Sequence, residues 1–452
     1  MTTLPIPRII APLIRRHAED AAFYWALLDG SVITPRLSLD GLTRFGDMLD
    51  AHLEGLQVAG QDGLVPCLAA LERWRKAAGA FVYAHQVFCL NEPVAMEALL
   101  VQVRARPEEL LRGVISALAW RPPEQVASIV RRWTGADVEV IQQVAALRAA
   151  ALLDANAVGL LGQPVEDFLY SSDAHICAAA CRVAATVPHR PLLEAALTRC
   201  IVNPAMAVRA EAAIALHALA RQAPRGNDEG NIALANTVWQ CVVEQVVVSN
   251  ESTGWYRHQA LRRLRRWVRN LATMIPLGHD KIPALLDFMP PRISLHFVAY
   301  HGDSAHLAYA IAKMSHPDTS RYAGWVWQTI TGVDLESAGL TLPEPALSGD
   351  SAGISEARSD ADHGLPLPDM EAIARYSTAH LPARQRCLSG QGLTPLFAVA
   401  VLETAPQAHR SVASHFLRQC YPQIKLAPRG RIEDQLATIK QLRRLLIDEE
   451  VR

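Results

Sequence analysis

The stretch AHICAAACRVAATVPHRPLLEAALTRCIVNPAMAVRAEAAIALHAL, Ala174 to Leu219, carries the reading of the fold. Ile176, Ala180, Val183 and Ala184 recur at helical spacing, and so do Val208, Ala212, Ala215 and Leu216. Between them the joints VPHRP and IVNPAM supply proline where a helix has to stop. Upstream, EELLRGVISALAW puts Leu110, Val114, Ala117 and Leu118 on one face, and VEVIQQVAALRAA does the same with Val140, Val144 and Leu147. The starts of these four segments lie 30, 36 and 32 residues apart. A period of that size predicts paired helices stacked side by side, each pair burying its face on the next. Small alanine faces suit close helix approach.

Working outward, the expectation is an all-α fold of HEAT-like helical repeats, an α–α superhelix or solenoid, over residues 91–339. A helical N-terminal module is expected over 1–90. It contains three helices, one of them lined by Leu42, Phe45, Leu49, Leu53 and Leu56 between an N-cap at Ser38 and a stop at Gly60. Between His17 and Asp62 acidic residues outnumber basic ones, which predicts a negative surface at this end. Residues 340–369 are rich in Pro, Gly, Ser and Asp and read as a flexible linker. Residues 370–452 read as a small helical C-terminal module ending in the basic amphipathic helix EDQLATIKQLRRLLIDEE. No stretch alternates in the manner of a strand.

Composition narrows the functional classes. Half of the 452 residues are hydrophobic, with Ala and Leu prominent, so helices and a sizeable core are expected. A formal net charge of −1 gives no global field for nucleic acid or an anionic membrane. The eight cysteines form no CxxC pair and sit in apolar helical patterns, which reads as a reduced, cytoplasmic protein. IIAPLI, followed at once by RRH, is too short for a signal segment, and no apolar run approaches the ~18 residues of a membrane span.

Several motifs invite chemistry. GDSAG, Gly349 to Gly353, matches a serine nucleophile elbow around Ser351. It lacks the strand before it and the oxyanion loop that such a site needs. His296, His301 and His306, with Asp303 among them, are five apart and do not share a helical face; HGD reads as a turn with Asp303 capping the next helix. Cys177 and Cys181 are four apart with no third ligand nearby in sequence, which favours core filling. The expectation is therefore no catalytic residue, no metal and no cofactor. GWYRHQALRRLRRWVRN is the one basic cluster: Leu261, Leu264, Val268, Leu271 and Ile275 line one face, and Arg262, Arg263, Arg266 and Arg269 the other. One such helix at this net charge argues for an acidic protein partner over nucleic acid. In GWVWQTITGVDL, Trp325 and Trp327 fall on different helical faces, Gly332 fits a helix end, and Val333 and Leu335 fit a return to the core. That is a structural signature, with a binding groove lined by both tryptophans as the alternative.

Three sets of residues carry a resemblance. RRHAEDAAFYWALLDGSV with LDAHLEGLQVAG resembles the N-terminus of a proteobacterial family of HEAT-like repeat proteins. YHGD with RYAGWVWQTITGVDL resembles that family's second signature, and LPARQRCLSGQGLT is similar to a weaker form of its C-terminal segment. Genes of the family tend to lie in type VI secretion loci, near spike proteins, adaptors and toxic effectors. The resemblance thus implies an adaptor or chaperone for a secretion effector or spike component. The alternatives are an immunity protein that blocks a cognate toxin and, lower, an enzyme or nucleic-acid-binding protein on the same scaffold. Whether deleting the gene poisons the cell separates the first two.

Overall fold

The computed structural model describes residues 10–153, 155–222, 228–343, 362, 364–422 and 424–450. Ser351 and most of the expected linker lie outside them. The described chain is helical throughout, apart from one two-stranded antiparallel hairpin, β1 (Cys387–Leu388) with β2 (Gln391–Gly392). It divides into two compact units: residues 1–225 with 402–452, and residues 226–401. This grouping cuts across the expected boundaries at 339 and 369.

The first unit opens with α1 (Ala11–Gly30), α2 (Leu39–Ala59), α3 (Leu64–Trp74) and α4 (Ala77–Leu90), four helices where the sequence reading has three. Ser38 caps α2 by accepting from the Gly41 N–H at 3.2 Å, and Gly60 ends it at φ 57°. Then follow α5 (Pro93–Ala105), α6 (Pro107–Trp120), α7 (Pro123–Trp133), α8 (Val140–Ala150), α9 (Val165–Leu169), α10 (Ala174–Ala184), α11 (Pro191–Cys200) and α12 (Met206–Ala220). Proline starts α5, α6, α7 and α11, where its missing N–H costs nothing. Alternate helices form a row: α4 packs on α6, α6 on α8, α8 on α10 and α10 on α12. From α6 onward that row is built from the four segments with the repeat period. Their predicted core positions are buried, except Val140 in the first turn of α8, which is 41% exposed. Close approach decides the packing at Gly113. A Cβ there would strike the Ala77 carbonyl oxygen and lie 2.7 Å from the Phe81 nitrogen.

The last helices of the chain, α21 (Gln407–Cys420) and α22 (Ile432–Glu450), belong to this same unit. The Gln407 N–H donates to the Leu37 carbonyl at 2.8 Å, and the Arg221 Nε donates to the Gln419 carbonyl at 2.8 Å. Lys425 donates to the Ala150 and Leu153 carbonyls. Arg410 is 1% exposed and donates to Leu402 O, Gln407 Oε1 and Gln435 Oε1 at 2.7, 2.7 and 3.0 Å. The expected separate C-terminal module is therefore split, and its second half completes the N-terminal stack.

The second unit runs through α13 (Asp228–Glu251), α14 (Gly254–Met274), α15 (Ile282–Phe288), α16 (Pro291–His301), α17 (Leu307–Lys313), α18 (Ser320–Thr331), α19 (Met370–Arg375), the hairpin and most of α20 (Pro395–Thr404). Here α13, α14, α16 and α18 pack in succession. Within α13, Gly230–Glu251 is 22 residues long and apolar enough to cross a membrane, with a third of it buried. The sequence reading passes over it because polar residues break the run. Among these, Asn236, Gln240 and Glu244 are exposed, while Val238, Cys241, Val242 and Val246 are buried. The described flanks of the linker are anchored, not loose: Thr341 bridges Pro368, and buried Asp362 takes both Nη atoms of Arg292.

Candidate functional site

The residues most informative about function gather in the second unit, where α14, α16 and the hairpin meet. Helix α16 ends on His301, Gly302 follows at φ 69°, and Asp303 turns the chain back by accepting from the Ala305 N–H at 3.0 Å. A short 3₁₀ turn, Ser304–His306, then leads into α17. The turn is tight because something lies on it. The Cys387 N–H donates to the Gly302 carbonyl at 2.7 Å, and a Cβ on Gly302 would sit 2.9 Å from the Cys387 carbonyl oxygen. Beside it, Arg386 donates to the carbonyls of Ala272 (2.9 Å), Thr273 (3.2 Å), Ile275 (2.7 Å) and His301 (2.7 Å). One guanidinium thus satisfies the C-terminal carbonyls of two helices.

The same hairpin seats on the end of α18. Ser389 and Gly390 N–H groups donate to the Thr329 and Ile330 carbonyls at 2.7 and 3.0 Å, and Gly332, at φ 71°, has no room for a Cβ against Ser389. YHGD, GWVWQTITG and RQRCLSG are therefore one structural locus. The predicted roles of Asp303 and Gly332 hold, and Leu335 returns to the core at 0% exposure.

This turn brings together what spacing kept apart. One ligand atom each from His301, Asp303 and His306 fall within 4.8 Å of one another. The His301 Nε2 and Asp303 Oδ2 are 3.9 Å apart, and the two imidazoles are 5.5 Å between centroids. The helical-face argument fails because Gly302 breaks the helix between the histidines. Burial, then the Arg386 charge, pushes His301 down to about 3, and burial lowers His306 too. Against a burial effect that would raise it, the Ala305 and Gly278 N–H donors hold Asp303 below its ordinary value. Near neutral pH the locus thus presents neutral imidazoles and a carboxylate, so the His301–Asp303 contact is no ion pair.

A second cluster escaped the sequence reading. Cys200, on α11, joins Cys177 and Cys181 of α10, and all three are buried. Cys177 and Cys200 sulfurs are 3.6 Å apart and share the Leu169 carbonyl. The hydrogen bond to Cys177, with burial behind it, pushes the Cys181 thiol up. The i, i+4 pair was legible; its third member, 19 residues on, was not.

The predicted binding residues divide. On α14, Leu264, Val268 and Leu271 are buried as expected, together with Trp267. Arg262 is exposed, and Arg263 and Arg266 are half-buried at the surface. Arg269 belongs to the packing: its guanidinium lies over the Tyr300 ring at 5.9 Å, and its Nε is buried. Trp325 and Trp327 are 8% and 0% exposed, which removes both from any partner surface. The acidic surface also shrinks, since Asp29 meets Arg112 and Asp50 accepts from the Trp120 Nε1 at 3.0 Å. Compared with known proteins, the chain matches no family model and no curated protein.

Proposed function

We propose that the chain is a non-enzymatic scaffold that binds another protein through the solvent side of α14. The observation that carries this reading is the outward side of α14: Arg262 is exposed and Arg263 and Arg266 are half-buried, while Leu264, Trp267, Val268 and Leu271 of the same helix are buried. Tyr256, 69% exposed, lies near the start of the same helix. Tyrosine and arginine are the side chains that most often dominate protein interfaces. Such a face fits an acidic protein surface, and the sequence resemblance adds a secretion effector or spike component as its class. Eight free cysteines suit a reducing compartment such as the cytoplasm.

Arg262→Glu, Arg263→Glu and Arg266→Glu together test the face; Arg269 stays because it packs. Affinity capture from the native cell, followed by binding kinetics with the captured partner, should show association slowed by about tenfold or more at low salt, converging with wild type as salt rises. Unchanged association at low salt would remove α14 as the binding surface. Unaltered helicity in the variant separates a lost contact from a lost fold.

A further inference from the structure

We propose that His301 Nε2, His306 Nε2 and the Asp303 carboxylate form a binding site for one divalent transition-metal ion of the zinc class. Two observations carry it independently of their proximity. Both Nε2 atoms are buried and make no hydrogen bond, on side chains 0% and 8% exposed. A buried polar atom without a partner is uncommon, and two on residues that each bring a ligand atom within 4.8 Å of the other and of one carboxylate ask for a shared occupant. Asp303 supplies the one anionic ligand, and it is the most accessible of the three, its side chain 13% exposed, so an ion can enter from its side.

The surroundings are those of a supported ligand set. His301 Nδ1 lies 2.8 Å from the Ala272 carbonyl. Arg386 Nη1 also lies 2.9 Å from that nitrogen, but its two hydrogens are taken by the Ala272 and His301 carbonyls. Nδ1 therefore carries a proton and donates to Ala272, which leaves a lone pair on Nε2. This is the backbone-oriented tautomer typical of metal-ligating histidine. Asp303 is fixed in turn by the Ala305 and Gly278 N–H groups at 3.0 and 3.1 Å, and each oxygen keeps a lone pair. Two imidazoles and a carboxylate suit zinc and its neighbours and leave at least one position open to water or another ligand. Tetrahedral ligands at ~2.0–2.1 Å from an ion stand ~3.3 Å apart. The observed 3.9 Å between His301 and Asp303 closes to that with a small side-chain shift. The Arg386 charge opposes a second cation nearby, so binding is expected to be weaker than at a closed structural zinc site.

The full chain, stripped with chelator and dialysed against Zn²⁺, should retain one ion per chain, and Co²⁺ should give a visible spectrum of nitrogen and oxygen ligation. His306→Leu and Asp303→Asn should each weaken binding at least tenfold. Cys181→Ser, which touches the cysteine cluster, should leave it unchanged. A wild-type chain that binds no ion above the level of His306→Leu overturns the proposal. So does a thiolate charge-transfer band in the cobalt complex, or binding lost in Cys181→Ser and retained in His306→Leu. Should His306→Leu lose helicity, Asp303→Asn, which keeps the cap acceptor, decides alone.

Discussion

At the scale of the residue, buried histidines give the molecule a pH dependence that its near-zero net charge does not suggest. Burial pushes His85 and His296 down to about 3 and His409 down to about 4, as it does His301. A base with a folded pKa below its unfolded one binds fewer protons when folded, so stability rises with pH between the two values. The stability these groups lend is complete above the ordinary histidine value of ~6.5 and drains away below it. Each contributes up to about 1.4 kcal/mol per pH unit across that window. The thermal midpoint should therefore be flat from pH 8 to 7 and fall steeply from 6 to 4.5. A flat midpoint through pH 5 would show that these imidazoles are already charged or solvated in the fold.

At the scale of the element, alanine and glycine set how close helices come. Gly113 on α6 meets α4 backbone to backbone, so Gly113→Ala forces the pair apart along their whole length. Overpacking of this kind costs about 1–3 kcal/mol, and contact with backbone instead of a yielding side chain puts this site at the upper end. Urea unfolding followed by far-ultraviolet circular dichroism should show the loss, with Ala119→Ser on the same helix, a half-buried position, changing little. This scale is also where the sequence was most legible. Helical spacing and alanine faces are local signals, so the α6, α8, α10 and α12 cores, the Ser38 and Asp303 caps and the Gly332 stop could all be read from it. What could not be read depends on partners distant along the chain. Cys200 reaches Cys177 through a helix crossing, Arg386 reaches His301 across 85 residues, and Arg269 looks solvent-facing until Tyr300 packs beneath it.

At the scale of the whole molecule, each unit must be judged with all its parts. Val412, Leu417, Leu426, Ile439, Leu442 and Leu446 are buried, and they lie in the segment that completes the first unit. At about 1.5–3 kcal/mol each, their burial rivals the ~5–15 kcal/mol that holds a typical domain. A chain ending at Val401 should therefore lose the cooperative transition of its first unit and aggregate on gentle warming, while the second unit keeps its own. Scanning calorimetry would show this. An unaltered first transition would mean that the terminal helices only decorate the stack.

The return of the last helices also sets a clock. The two parts of the first unit are separated in the chain by residues 226–401, all of which a ribosome must translate before Leu402 appears. At ~5–20 residues per second that interval lasts roughly ten to thirty-five seconds. Through it, a nascent stack of α1 to α12 stands with its closing face bare, while the segment that follows folds on its own. Cells that make this protein in quantity must shelter that face during synthesis, and any pause late in the message lengthens the exposure.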